Sequence, residues 1–143
     1  SQGFSGGLYG ADGVADAAFV NSFTDTKAVN GLIATKPRSG KDSAAKATFE
    51  SAYSAAGGDT EGIYTHETYD AVNLIAAAAM ADDSDNLRDD LNSIGKGYDG
   101  ASGSHTFDSN GDVSGTGYDV CNFSGTNFSC EKIWTSDGGV TSG

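Results

Sequence analysis

Leu8-Tyr9-Gly10-Ala11-Asp12-Gly13-Val14 sets the reading of the chain: Phe4 to Tyr9 is an apolar run with strand character, Gly10 to Gly13 a loop, and Val14 to Phe23 a short helix. Val14, Ala18 and Phe19 share one face of that helix. The unit is therefore strand, loop, helix. Gly31 to Thr35 reads as a second brief strand, and Lys36-Pro37-Arg38-Ser39-Gly40, with the only proline in the chain, reads as a connection.

Working outward, Asp42 is a plausible N-cap for a helix running to Ala56, with Ala45, Phe49, Ala52 and Tyr53 on one face and Gly57-Gly58 as the stop. A longer helix is expected from Thr65 to Ala81, its apolar positions Tyr69, Val72, Ile75, Ala76 and Ala79 at helical spacing. Asp83 or Ser84 would cap a third helix ending at Ile94. After Gly95 the pattern changes. Ser104 to Phe107, Gly117 to Phe123 and Phe128 to Trp134 read as strands joined by turns such as Asp108-Ser109-Asn110-Gly111-Asp112, and the Gly/Ser stretch after Asp137 reads as a frayed end.

Composition narrows the function classes. The 143 residues include 21 Gly and carry a formal charge of −12, which opposes binding to nucleic acid or an anionic membrane. Acidity of this kind suits a solvated surface in an extracytoplasmic setting, and equally suits plain solubility. Large aliphatic residues are sparse, so a core built by this chain alone would be marginal. The longest apolar run, Val72 to Ala81, is half of the roughly 20 residues that a membrane span needs. No basic start with an apolar signal core is present, so an export signal is expected to have been removed or to lie upstream of Ser1.

Cys121 and Cys130 flank two short strands around Ser124-Gly125-Thr126-Asn127. If Phe123 faces Phe128, antiparallel pairing brings Cys121 opposite Cys130 at disulfide distance. A zinc site would need two more ligands, and His66 and His105 lack the paired spacing, so a disulfide and an oxidising compartment are expected. Asn122-Phe123-Ser124 and Asn127-Phe128-Ser129 also match the N-glycosylation pattern, which makes Asn122 and Asn127 candidate acceptors.

Other motifs fail on context. Gly95-Lys96-Gly97-Tyr98-Asp99-Gly100 matches the dinucleotide letters but follows a helix instead of a strand. Ser39-Gly40-Lys41-Asp42 lacks the upstream glycine of a phosphate loop and has Asp where Ser or Thr would hold magnesium. His66-Glu67-Thr68-Tyr69-Asp70 has no second histidine for zinc. Asp108, Asn110 and Asp112 have calcium-loop spacing, but Val113 stands where the turn needs glycine and no Glu closes the loop. Asp82-Asp83 and Asp89-Asp90 fall on expected exposed helix ends. Neither histidine sits beside a Ser or Cys in a nucleophile elbow, so no enzyme activity, cofactor or metal is expected.

Four segments taken in order resemble a known family. They are Leu8 to Val14, Gly31 to Pro37, Tyr69 to Ala76, and Gly97 to Gly103 followed by Phe107 to Asp112. Together they are similar to the last third of the leucine/isoleucine/valine-binding proteins that feed ABC importers, a branch of the type I periplasmic solute-binding proteins. The resemblance implies an α/β fold: part of a two-lobed architecture with a helix-flanked parallel sheet, here ending in a β-hairpin. It assigns residues 1–36 to the C-terminal lobe, residues 37–112 to the N-terminal lobe, and residues 113–143 to a return into the C-terminal lobe with the disulfide hairpin and a flexible tail. Hinge crossings are then expected near 36–38 and 111–116.

The same resemblance implies a non-enzymatic protein that closes on a small, branched-chain-like amino acid and presents it to a membrane ABC permease in the periplasm or outside the cell. Asp12 takes the position of the acid that receives the ligand's α-ammonium, and Tyr64 that of the aromatic beside the ligand side chain. Family members are well over twice this length. A missing N-terminal part of the same protein, or self-association, is therefore expected to complete the sheet and the site. The competing reading is a structural or adhesive surface protein derived from this fold.

Overall fold

The computed structural model describes residues 4–38, 40, 42–81, 86–113, 115, 117–125 and 127–143, leaving aside the side chains of Ala17 and Asn127. In chain order the elements are β1 (Tyr9–Gly10), α1 (Ala17–Asn21), β2 (Ile33–Pro37), α2 (Ala44–Ala55), α3 (Thr65–Ala81), α4 (Leu87–Ile94), β3 (Tyr98–Gly100), β4 (Gly103–His105), β5 (Tyr118–Ser124), β6 (Asn127–Thr135) and β7 (Gly139–Ser142). They divide into two compact units, one made of Ser1–Arg38 with Thr116–Gly143 and the other of Ser39–Gly115.

The first unit is built on a five-stranded sheet ordered β1-β2-β5-β6-β7. Only β1 and β2 run parallel; the other ladders are antiparallel. Pro37 is tolerated at the end of β2 because alternate residues of that strand turn their nitrogens toward β1. Ile33 N–H donates to the Leu8 carbonyl at 2.9 Å, but β1 ends opposite Ala34, so at Pro37 no ladder bond is lost. The core beneath the sheet gathers Val20, Val29, Leu32 and Phe123, with Leu8, Val14, Phe19, Phe23 and Phe128 packed around them.

The first helix differs from its expected phase. Asp12–Val14 forms a 3-10 turn and α1 begins at Ala17, where Asp16 Oδ1 accepts the Ala18 N–H. Starting the helix three residues late turns Val20 inward to near-complete burial and leaves Ala18 exposed.

The hairpin of β5 and β6 has the expected pairing of Phe123 with Phe128, and the Cys121–Cys130 disulfide is formed. Between Asn122↔Ser129 and Val120↔Lys132 the register steps by one, so Cys130 and Glu131 both lie opposite Cys121 in a β-bulge. Thr126, in the turn, lies outside the described residues. Beyond Thr135 the chain does not fray: Gly139–Ser142 pairs with β6 as the outermost strand, Val140 opposite Trp134.

The second unit has three helices and a two-stranded hairpin of β3 and β4. Ser43, rather than Asp42, caps α2 by accepting the Lys46 N–H, while Asp42 pairs with Lys46 Nζ at 3.3 Å one turn on. Gly57, at φ +84°, ends the helix: its N–H donates to Ser54 and that of Gly58 to Tyr53, which satisfies two of the last carbonyls. On α2 Phe49 is buried and Ala45 half-buried, but Ala52 and Tyr53 are exposed. Phe49 fastens α2 to α3, stacking on Tyr69 with ring centroids 4.4 Å apart and meeting His66 edge-on.

α3 has the expected bounds but the opposite face inward. His66, Asp70, Leu74 and Ala78 are buried, while Tyr69, Val72, Ile75, Ala76 and Ala79 are exposed. Polar contacts explain the rotation. His66 Nε2 lies 2.9 Å from Glu50 Oε1, and Asp70 binds the β3–β4 turn, so these two residues fix which stripe faces the unit. The expected caps Asp83 and Ser84, and the pair Asp82-Asp83, lie outside the described residues. Asn86 caps α4 by accepting the Arg88 N–H, and Asp90, expected at an exposed end, is 7% exposed.

Candidate functional site

Asp12 lies in the 3-10 turn just past the carboxyl end of β1, the end of parallel strands around which α/β folds place their ligands. The turn is closed by Val14 N–H to the Ala11 carbonyl and Ala15 N–H to the Asp12 carbonyl, and the Asp12 residue is half-buried. Tyr64 immediately precedes α3 with φ +64°, the one described non-glycine residue in the left-handed region. Such a conformation is costly and marks a position fixed by its surroundings. Tyr64 borders a groove of about 390 Å³ shared with Phe49, Tyr53, Ile63 and Tyr69. Asp12 belongs to the first unit and Tyr64 to the second.

A polar cluster that the sequence reading missed holds the second unit together. Asp70, 2% exposed, accepts the Ala101 N–H on Oδ1 at 2.8 Å, and on Oδ2 the Ser102 N–H at 2.7 Å and the Ser102 hydroxyl at 2.5 Å. His105 Nε2 lies 2.7 Å from Ser102 Oγ and 3.8 Å from Asp70 Oδ2. Gly100 is required here, since a Cβ on it would fall 2.3 Å from Asp70 Oδ2.

Serine, histidine and aspartate in contact invite a catalytic reading, and the proton count rejects it. Ser102 has one hydroxyl proton, and at 2.5 Å from a carboxylate oxygen that proton must lie between them. Its oxygen then accepts from His105 Nε2–H, so the imidazole cannot act as base toward the serine. The cluster is a clasp that ties the β3–β4 turn to α3. The signal available in sequence was a mid-helix aspartate and a Gly-Ala-Ser-Gly turn, but 31 and 32 residues separate the partners. Beside the clasp, burial, the Asp70 charge and Tyr69 push the Tyr98 hydroxyl above its ordinary pKa.

Asp108 Oδ1 accepts the N–H groups of Asn110 and Asp112, at 2.8 and 3.0 Å. The Asp112 N–H foremost, then that of Asn110, holds its carboxyl below the usual range. The carboxylate thus serves its own turn. Gly95 ends α4 and Tyr98–Gly100 forms β3, so the dinucleotide-like letters sit in a helix-to-hairpin passage. Ser39 and Lys41 lie outside the described residues. Among those described, no three metal-ligating side chains converge, and no helix is long and apolar enough to cross a membrane. Asn122 is exposed in mid-β5; the Asn127 side chain lies outside the described ones.

No protein-family model matches the chain, and no curated protein matches it. Solved structures do. A leucine-binding protein from Thermotoga maritima superimposes with a TM-score of 0.70 at 22% identity, over 94% of this chain and 39% of that one. The chain carries part of the type I periplasmic-binding-protein fold. An ABC transporter substrate-binding protein from Desulfitobacterium hafniense, solved in complex with Leu, matches with a TM-score of 0.59 and 20% identity over 89% of this chain and 36% of that one. A branched-chain amino acid ABC transporter protein from Rhodospirillum rubrum matches with 0.53 and 22%, over 90% and 38%. These neighbours are substrate-binding components of transporters, not enzymes. The chain spans under two-fifths of their length.

Proposed function

We propose that the chain is part of the substrate-binding component of an ABC-type amino-acid importer that takes a small, branched-chain-like amino acid in a cleft between two lobes. The observation that carries this reading is the superposition of 94% of the chain on a leucine-binding protein. Residues 1–36 and 113–143 are assigned to one lobe and 37–112 to the other, with hinge crossings near 36–38 and 111–116; Ser114 and Thr116 of the second crossing lie outside the described residues. Asp12 receives the α-ammonium, its half-buried carboxylate gaining a charge-assisted partner, and Tyr64 offers a flat wall to the side chain. The Cys121–Cys130 disulfide supports an exported, oxidising location, and a membrane permease is the partner that lobe closure would signal.

Thermal unfolding of the protein from its native source, with leucine, isoleucine and valine, tests this. A saturating ligand at about 100 times its Kd should add about 2.7 kcal/mol of stability, and Asp12→Asn should abolish the gain without lowering the ligand-free midpoint. No shift with any amino acid, together with stable self-association, would favour the structural or adhesive reading instead.

A further inference from the structure

α3 is apolar on two opposite sides. One stripe, through Leu74 and Ala78, is buried within its unit, while the other runs through Tyr69, Val72, Ile75, Ala76, Ala79 and Met80. At 100° per residue the second stripe is centred roughly opposite the first. Tyr69, Val72, Ile75 and Met80 are 43%, 61%, 52% and 83% exposed. The charged side chains of α3, Glu67 and Asp70, fall outside that stripe, in a chain with a net charge of −12. Toward Tyr69 the stripe runs on into the groove that Phe49 and Tyr64 border, so the apolar surface is continuous. A helix apolar on both sides belongs in the interior of a fold, and a contiguous exposed patch of this kind marks a surface built to be covered.

We infer that this outer face of α3 is a docking surface for the apolar face of a β-sheet supplied by the portion of the type I fold that the chain does not span. Two observations select that occupant. An α/β layer buries a helix against a sheet, yet the second unit contains only the β3–β4 hairpin, with strands of three residues each, as its described strands. The chain also superimposes on only 39% of the leucine-binding protein, which leaves about three-fifths of that fold to supply strands. The first unit repeats the demand: β1, two residues long, leaves the outer edge of a parallel pair open at the end of the sheet. A second copy of this chain would bring another helical face, not the missing strands. The inference rests on the fold and requires no ligand.

Met80, the only methionine, reports on this face. Peroxide oxidation followed by mass should modify it about tenfold faster in the 143-residue chain expressed alone than in the protein from its native source. The isolated chain should sediment as a monomer, and Val72→Glu with Ile75→Glu should leave its oxidation rate and helical signal unchanged. The inference is overturned by a dimer of the isolated chain in which Met80 is protected and which the double substitution dissolves. It is overturned equally if Met80 is protected in a monomer of the isolated chain, or oxidised as fast in the native protein. Protected native Met80 without amino-acid binding would sink the proposed function and leave this surface standing; the converse result would do the reverse.

Discussion

Replacing Asp70 by alanine strikes the clasp at its centre. The side chain is 2% exposed and accepts from two backbone N–H groups and a hydroxyl, with Ser102 itself 4% exposed, so no bulk water is at hand to take its place. Each donor left unpaired in such a site costs about 1–3 kcal/mol. Losses in one network are not additive, and the sum expected is about 3–5 kcal/mol. Asp70→Asn keeps one carbonyl oxygen but turns an amide donor toward the Ser102 donors, for about 2–3 kcal/mol. Ser102→Ala removes only the hydroxyl, for about 1 kcal/mol. Urea unfolding followed by the helical signal, which comes mainly from α2, α3 and α4, measures all three. With a slope of about 1–3 kcal/mol per molar urea, the alanine variant should lose about 2 M in midpoint. A cost for Asp70→Ala under about 0.5 kcal/mol, or a ranking in which Ser102→Ala is the most damaging, would refute the clasp.

Three further outcomes are expected. Phe123→Ala, which empties the centre of the core of the first unit, should cost about 3–5 kcal/mol in the same titration. Cys121→Ser with Cys130→Ser, across a separation of 9 residues, should cost about 2.5 kcal/mol by chain entropy and leave the ligand-free secondary structure intact. Because the Tyr98 pKa is raised in the folded state, its contribution to stability is present below its ordinary value of 10.0 and is lost as pH rises through the folded value. Alkaline spectrophotometric titration should show a late tyrosine step that Tyr98→Phe removes; an unchanged titration curve would contradict the burial described here.

What the sequence made legible follows from how far apart the interacting residues lie. The bounds of α3 were readable because its apolar spacing and flanking breakers are local, and the Phe123–Phe128 pairing because a short turn sets the register. The inward face of α3 was not: counting apolar residues selects Tyr69, Val72 and Ile75, whereas His66 and Asp70 face inward because their partners, Glu50 and Ser102, come from other elements. The bulge at Cys121 depends on one extra residue, Glu131, that alternation alone does not reveal. β3 and β7 were overlooked because strands of three and four residues rich in glycine and polar side chains exist only through their partners. Of the site residues, Asp12 and Tyr64 entered through family resemblance, and the left-handed backbone of Tyr64 carries no signature in its letters.

The first unit is assembled from both ends of the chain, and that order has a kinetic cost. β2 must pair with β5, Ala34 meeting Cys121, so the ladder closes only after the intervening segment has been made. Closure entropy grows slowly with loop length, by about 0.6 kcal/mol per doubling, but contacts this distant in sequence slow folding. During synthesis the three helices and the β3–β4 hairpin emerge before β5 exists, so the inserted unit has the first opportunity to fold. Until the last residues arrive, β2 has only the two-residue β1 as a partner and exposes its other edge, which makes the nascent chain most prone to strand-mediated aggregation in that interval.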